Sequence, residues 1–298
     1  MPSTKVTNPY EFYISRNTSV SAEISIIMLN VTINQLAHEL ITVTAGGKNY
    51  TSSFTIPYGT TYTAAIKADE GYTAGTVTPT SGTFTTDSTF TATAATINSY
   101  TVTITPGAHQ TITVKNTTTG KSYTSTFTAN YGDKLTATIT ADPGYTASTL
   151  NHTSATVGTS GATFSATGDA TINSYTVTIT QSANQTITVN DGITNHTSSF
   201  SAPYGTKLTA SITANTGYTA GTLNQTSATV GTSGATFSAT AATIQTRTIT
   251  VEQPANGRIE VNGQVGTSFT FNYGTKVKIE LKANTGYTPS ALYIATED

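Results

Sequence analysis

The feature that most constrains this chain is a fifteen-residue segment that occurs twice without a change. The segment TSATVGTSGATFSAT occupies residues 153–167 and returns 73 residues later at 226–240. A repeat of this kind indicates tandem copies of one structural unit. The segment contains no carboxylate, imidazole or amine, so it offers no acid, base or strong metal ligand. The duplication therefore predicts a repeated scaffold and not a repeated active site.

Two dipeptides mark the same unit along most of the chain. Tyr-Gly begins at residues 58, 131, 204 and 273, and Gly-Tyr begins at 71, 144, 217 and 286. The predicted organisation is an N-terminal docking segment followed by four units. Their ranges are 1–27 for the segment and 28–98, 99–173, 174–245 and 246–298 for the units. The fourth unit is predicted to be truncated, because it has no counterpart of residues 226–240.

Alternating apolar and polar residues predict that every unit is built from strands. The run TVTIT at 101–105 places valine and isoleucine between threonines, which is the period of a sheet with one buried face. Threonine makes up about a quarter of the chain, and a β-branched polar residue suits the solvent face of a strand. The predicted fold class is all-β, a tandem array of small β-sandwich or β-grasp-like modules with a non-repeat N-terminal segment.

The segments between the two dipeptides resemble a known bacterial repeat. They read YTSSFTIPYGTTYTAAIKADEGYTAG at 50–75, APYGTKLTASITANTGYTAG at 202–221 and FNYGTKVKIELKANTGYTPS at 271–290. This order of a Tyr-Gly turn, an alternating strand and a Gly-Tyr turn resembles the divergent internalin-B-type repeat, although the chain has no tryptophan. The resemblance implies small β-grasp-like or immunoglobulin-like modules of the kind found on bacterial surfaces and in phage virion fibres.

Composition argues against several functional classes. The formal net charge is −2 and no basic cluster occurs, whereas nucleic-acid binding needs a stripe of Lys and Arg. No apolar run reaches the eighteen or so residues of a membrane span, and residues 1–30 lack the pattern of a secretory signal. No catalytic or phosphate-binding motif is present. We therefore expect no enzymatic activity, no cofactor and no metal site.

The N-terminal segment carries apolar residues that belong to no repeat core, and these are the predicted anchor. Buried aromatic and aliphatic side chains dominate the energy of protein interfaces. The alternative is that Ile24, Ile26 and Met28 form an extra strand on the first unit. The predicted anchoring residues are Tyr10, Phe12, Tyr13, Ile14, Ile24, Ile26, Ile27 and Met28.

The tyrosines of the two dipeptides are the most conspicuous repeated side chains. One interpretation is that they stack on glycans along the array. The other is that one ring of each unit packs in the core and the other packs at the junction between units. The residues concerned are Tyr58, Tyr72, Tyr131, Tyr145, Tyr204, Tyr218, Tyr273 and Tyr287.

These observations predict a structural protein of a tailed-phage virion, either a head fibre or a capsid-decorating protein. Its N-terminal segment would bind other virion proteins of the capsid or tail, and its β modules would project and contact host surface glycans. A homo-oligomer, as in trimeric phage fibres, is compatible with the pattern. The alternative is an extracellular protein of the bacterial cell surface, an adhesin or a subunit of a filament or stalk.

Overall fold

The computed structural model of the protein describes residue 6 and residues 11–296. This part of the chain contains thirty-three short strands, numbered here in chain order, and no helix. The strands form many small separate sheets. The prediction of an all-β tandem array is therefore confirmed.

Unit 1 is a sandwich of two four-stranded sheets. Its strands are β1 (Met28–Ile33), β2 (Glu39–Ala45), β3 (Lys48–Tyr50), β4 (Phe54–Pro57), β5 (Thr61–Ala68), β6 (Tyr72–Thr73), β7 (Val77–Thr78), β8 (Ser81–Thr83), β9 (Ser88–Ala92) and β10 (Thr96–Ile97). The sheet orders are β4-β1-β9-β7 and β3-β2-β5-β8, and β6 pairs with β10. Val31, Ile41 and Phe90 come from both main sheets and share one core.

Units 2 and 3 repeat this design with nine strands each. Unit 2 has β11 (Ser99–Thr105), β12 (Gln110–Asn116), β13 (Ser122–Tyr123), β14 (Phe127–Asn130), β15 (Lys134–Ala141), β16 (Tyr145–Thr146), β17 (Ser154–Thr156), β18 (Ala162–Ser165) and β19 (Thr171–Ile172). Unit 3 has β20 (Ser174–Thr180), β21 (Gln185–Asn190), β22 (Asn195–His196), β23 (Phe200–Pro203), β24 (Lys207–Ala214), β25 (Tyr218–Thr219), β26 (Ser227–Thr229), β27 (Ala235–Ser238) and β28 (Thr243–Ile244). In unit 2 the order β14-β11-β18 faces β13-β12-β15-β17, and β16 pairs with β19.

Unit 4 is built from five strands within the described residues. They are β29 (Thr246–Thr250), β30 (Gly257–Val261), β31 (Gln264–Val265), β32 (Ser268–Asn272) and β33 (Ile279–Ala283). The two sheets are β29-β32 and β31-β30-β33. The strands β1, β11, β20 and β29 thus begin at residues 28, 99, 174 and 246, the predicted first residues of the four units.

Period-two patterning separates core from solvent in these strands. In β1 the side chains of Leu29, Val31 and Ile33 are buried, and the residues between them are exposed. A strand places successive side chains on opposite faces, so the apolar set lies in the core and threonine or asparagine covers the outside. Burying one such side chain contributes about 1.5–3 kcal/mol.

The duplicated fifteen-residue segment supplies one strand to each of the two main sheets of its unit. Residues 153–167 contain β17 and β18, which lie in different sheets, so the segment forms a strand, a loop and a strand. β18 runs parallel to β11, with Phe164 opposite Ile104. The Phe164 side chain has no exposed surface. The same parallel pairing joins β1 to β9 and β20 to β27, so the last main strand of each complete unit returns beside the first.

Candidate functional site

The predicted anchor is largely exposed and lies mostly outside the sheets. Residues 11–27 form no strand. The exposed fractions are 46% for Phe12, 98% for Tyr13, 82% for Ile14, 96% for Ile24, 63% for Ile26, 64% for Ile27 and 50% for Met28. Tyr10 lies outside the described residues. Exposed apolar patches of this kind mark interaction surfaces.

Two of the predicted anchoring residues are held by the first sheet. Met28 is the first residue of β1 and pairs with Pro57 of β4. The carbonyl oxygen of Ile27 accepts a hydrogen bond of 2.8 Å from the backbone N–H of Tyr58. Ile24 and Ile26 precede the strand, so the interpretation that they extend it is wrong, and only Met28 belongs to it. β1 starts at Met28 because its antiparallel partner β4 ends at Pro57, the residue opposite Met28.

The tyrosine of each internal Tyr-Gly dipeptide packs against a glycine of the preceding unit. A Cβ atom built on Gly71 would lie 2.1 Å from Cγ of Tyr131, closer than any side chain tolerates. Gly71 also has a φ of +81°, a conformation that favours glycine. Only glycine therefore lets the ring of Tyr131 lie against the backbone of unit 1.

This contact recurs at the other two junctions. A Cβ atom on Gly144 would lie 2.2 Å from Cγ of Tyr204, and a Cβ atom on Gly217 would lie 2.0 Å from Cδ1 of Tyr273. Units 1 to 4 are thus joined by three copies of one contact. The Gly-Tyr dipeptide contributes its glycine to the junction, and the next Tyr-Gly dipeptide contributes its ring.

Backbone hydrogen bonds through one connecting residue accompany each ring. The N–H of Asn98 donates to the carbonyl oxygen of Gly71, and the N–H of Tyr131 donates to the carbonyl oxygen of Asn98, each at 2.9 Å. Asn173 and Gln245 occupy the place of Asn98 at the next two junctions. The repeated connectors at 96–100 and 171–175 were the sequence signal for these residues. Their pairing across units is visible only in the fold.

Two of the Gly-Tyr tyrosines stack on histidines of their own unit. The rings of His38 and Tyr72 are 4.0 Å apart at 8°, and those of His109 and Tyr145 are 4.1 Å apart at 9°. Tyr145 also meets Tyr204 edge-on at 6.2 Å. These rings line the junctions, so most of their surface is committed to neighbouring protein groups.

The prediction that one of these repeated rings fills each core was placed on the wrong tyrosines. The tyrosines packed against the cores are Tyr50 and Tyr62 in unit 1, Tyr100 and Tyr123 in unit 2, and Tyr175 in unit 3. They lie on the main sheets, whereas the Tyr-Gly dipeptides lie at turns and the tyrosines of the first three Gly-Tyr dipeptides begin the short strands β6, β16 and β25. Tyr58, Tyr273 and Tyr287 are the more open rings of the eight, at 52%, 42% and 57% exposed.

Two carboxylates, one in unit 3 and one in unit 4, accept hydrogen bonds that lower their pKa. The backbone N–H of Thr194, the His196 side chain and the N–H of Ile193 donate to Asp191 and lower the pKa of its carboxyl from 3.8 to about 2. In unit 4 the hydrogen bond from Lys282, followed by that from Arg258, lowers the pKa of Glu260.

Residues 11–296 bring no three His, Asp or Glu side chains together as a metal site requires. In the same range there is no helix able to cross a membrane.

No protein-family model and no curated protein matches the chain. Among solved structures, the Bacillus anthracis TIE protein is similar to it, with a TM-score of 0.42 and 15% sequence identity over 71% of this chain and 49% of that chain. The chain therefore spans about half the length of that structure.

Proposed function

We propose that the protein is a structural component of a tailed-phage virion, a head fibre or capsid-decorating protein. The N-terminal segment attaches it to the particle and the four β units extend from the attachment point. The observation that carries the proposal is an exposed apolar segment, residues 11–27, beside a series of β units joined by one repeated contact.

The exposed side chains of the segment support an anchoring role. Tyr13 and Ile14 are 98% and 82% exposed, and they follow one another in a stretch that belongs to no sheet. Covering a side chain of this size at an interface gains about 1.5–3 kcal/mol. A few such residues are enough to dominate a binding site.

The junctions support a spacing role for the units. Each junction combines a ring against a glycine with two backbone hydrogen bonds, and all three junctions use this combination. Because the same type of contact recurs at each junction, it gives successive units a similar relation to one another. Duplicating a unit then lengthens the array without a new design.

Surface glycans are the proposed ligands of the open tyrosines. Tyr58 and Tyr287 are each more than half exposed, and an exposed ring offers an apolar face with a polar edge to a sugar. Single contacts of this kind are weak, and many copies on one particle raise the avidity by a large factor.

The test is to locate the protein with an antibody against the full chain. Immunogold electron microscopy of phage particles and of cell envelopes from the source should label the particles. Full-length chains carrying Tyr13→Asp and Ile14→Asp should lose binding to unlabelled particles, whereas the control chain with Asn17→Asp and Ser19→Asp should retain it. Label confined to cell envelopes would overturn the proposal in favour of a surface adhesin or stalk subunit.

A further inference from the structure

One turn in each unit carries two side chains that change together from unit to unit. The backbone N–H of Asp69 donates to the carbonyl oxygen of His38, and the N–H of Asp142 donates to that of His109, each at 2.9 Å. Units 3 and 4 keep this backbone bond, but both places are asparagine. These pairs are Asn184 with Asn215 and Asn256 with Asn284. The pair is therefore ionisable in units 1 and 2 and neutral in units 3 and 4.

In units 1 and 2 the imidazole ring of the pair faces both an acid and an aromatic ring. Nδ1 of His38 lies 3.4 Å from Oδ2 of Asp69, and Nδ1 of His109 lies 3.7 Å from Oδ2 of Asp142. Each imidazole also stacks on the tyrosine of its Gly-Tyr dipeptide, with ring centroids 4.0 and 4.1 Å apart. A carboxylate attracts a positive charge, and so does the face of an aromatic ring. Protonation of the imidazole therefore strengthens both contacts.

The turn that the histidine supports is the one that receives the next unit. Tyr145 stacks on His109 and meets Tyr204 of unit 3 edge-on at 6.2 Å. Gly144, the residue before Tyr145, is the glycine against which Tyr204 packs. Its carbonyl oxygen accepts a hydrogen bond of 2.8 Å from the N–H of Asn173. Stronger contacts of the histidine therefore stabilise the turn that holds the junction.

We propose that the junctions between units 1 and 2 and between units 2 and 3 become more stable as the pH falls, because His38 and His109 gain a positive charge. Histidine is the side chain that ordinarily changes charge between about pH 5 and 8. The junction between units 3 and 4 has Asn184 in the same place, so its stability should not change. Mild acid thus holds the first three units together more firmly and leaves the link to unit 4 unaltered.

The charged groups near His38 act in both directions. Asp69 and Glu70 lie on the facing turn, and Glu39 is the next residue along β2. Lys67 lies two residues before Asp69 on β5 and is exposed. Its positive charge opposes a second positive charge at this turn. The response of the junction between units 1 and 2 is therefore reduced.

The groups near His109 favour a larger response. Asp142 faces the ring, and Asp169 accepts a hydrogen bond of 2.8 Å from the N–H of the residue before His109. Thr140 stands two residues before Asp142, where unit 1 has the lysine. Tyrosine, the other titratable residue of this junction, is ordinarily neutral over the same pH range. We therefore expect the stronger pH dependence between units 2 and 3.

Amide exchange of the full chain, measured by NMR, tests the inference. The N–H groups of Asn98, Asn173 and Gln245 each donate across one junction, at 2.9, 2.8 and 2.8 Å. Protection factors remove the intrinsic pH dependence of exchange. For Asn98 and Asn173 they should be about three to ten times larger at about pH 5.5 than at about pH 7.5. The protection factor of Gln245 should be the same at both pH values.

Moving the neutral pair of unit 3 into unit 2 gives the matched loss-of-response variant. The full chain with His109→Asn and Asp142→Asn should lose the pH dependence at Asn173 and keep it at Asn98. The exchange suits the backbone, because His109 and Asn184 have φ values of +56° and +64°. Histidine and asparagine are both enriched in this region.

The reverse exchange gives a gain-of-response variant. The full chain with Asn184→His and Asn215→Asp should acquire a pH dependence at Gln245. Three results would overturn the inference. They are a pH dependence at Asn98 and Asn173 no larger than that at Gln245, a response at Asn173 that survives the loss of the His–Asp pair, and an unchanged Gln245 in the reverse exchange.

Discussion

Glu39 occupies a buried position that glutamine holds in the next two units, and this difference allows a sharp mutational test. Its side chain is 6% exposed. Oε2 accepts a hydrogen bond of 3.0 Å from the N–H of Gly75, whereas Oε1 is buried without a hydrogen-bond partner among the described residues. Unit 1 therefore contains a buried polar atom without a hydrogen bond, whereas the atom at the equivalent place in units 2 and 3 has one.

The equivalent glutamine of unit 3 shows what is missing. Oε1 of Gln185 accepts a bond of 2.7 Å from the N–H of Gly221, and its Nε2 donates a bond of 2.7 Å to the carbonyl oxygen of Thr240. In unit 2, Nε2 of Gln110 donates in the same way to the carbonyl oxygen of Gly168. A glutamate side chain has no N–H group, so Glu39 cannot make the N–H···O bond that the glutamines make.

We expect Glu39→Gln to stabilise unit 1. Satisfying a buried polar group and adding one hydrogen bond should raise its free energy of unfolding by about 1–2 kcal/mol. In a unit of this size that corresponds to an increase in melting temperature of about 4–8 °C per kcal/mol. Calorimetry of the full chain measures the change, and amide exchange at Gly75 by NMR assigns it to unit 1.

The reverse change in unit 3 is the matched control. Gln185→Glu should remove the bond to Thr240 and lower the free energy of unfolding of unit 3 by a similar amount. The stabilities of units 1 and 2 should stay unchanged. If Glu39→Gln leaves exchange at Gly75 unaltered or faster while Gln185→Glu is neutral, the reasoning is refuted. The second bond would then contribute nothing to either unit.

Three further predictions concern the junctions, a hairpin and the core. Gly144→Ala should destabilise the junction between units 2 and 3 by more than about 1–3 kcal/mol, the cost expected of backbone strain alone. Proteolysis between the units measures this loss. Gly132 has a φ of +81° and open space around it, so Gly132→Ala is the control that should show the strain alone. Because the Asp191 pKa is about 2 in place of 3.8, its contribution to stability should be complete above pH 4 and lost as the pH falls towards 2. Asp191→Asn should lack that dependence in acid titrations followed by circular dichroism. Phe237→Ala should cost unit 3 about 3–5 kcal/mol in denaturant unfolding, and a smaller loss would mean that the core closes around the cavity.

The strands and their buried faces could be predicted because they depend on neighbouring residues. Val102 and Ile104 alternate with threonines, and this period is enough to predict a strand with one buried face. Both side chains are buried in the structure. The duplicated segment likewise predicts a strand, a loop and a strand from its own residues.

The pairing partners could not be predicted in the same way. β18 lies beside β11 although about sixty residues separate them, and period-two patterning does not say which strand will be the neighbour. The positions of the repeated tyrosines could not be predicted for a similar reason. Their recurrence pointed to a structural role, but whether a ring lies in a core or on the glycine of another unit depends on where the turn places it.

By itself, the sequence determined that the chain is a series of similar β units, because period-two alternation and glycine-containing turns act over a few residues. Only the tertiary structure decided that Tyr131 rests on Gly71 of the preceding unit, and that Oε1 of Glu39 is buried without a hydrogen-bond partner among the described residues. Each of these depends on groups that are far apart in the chain. Their energies are set by packing and hydrogen bonding after the strands have come together.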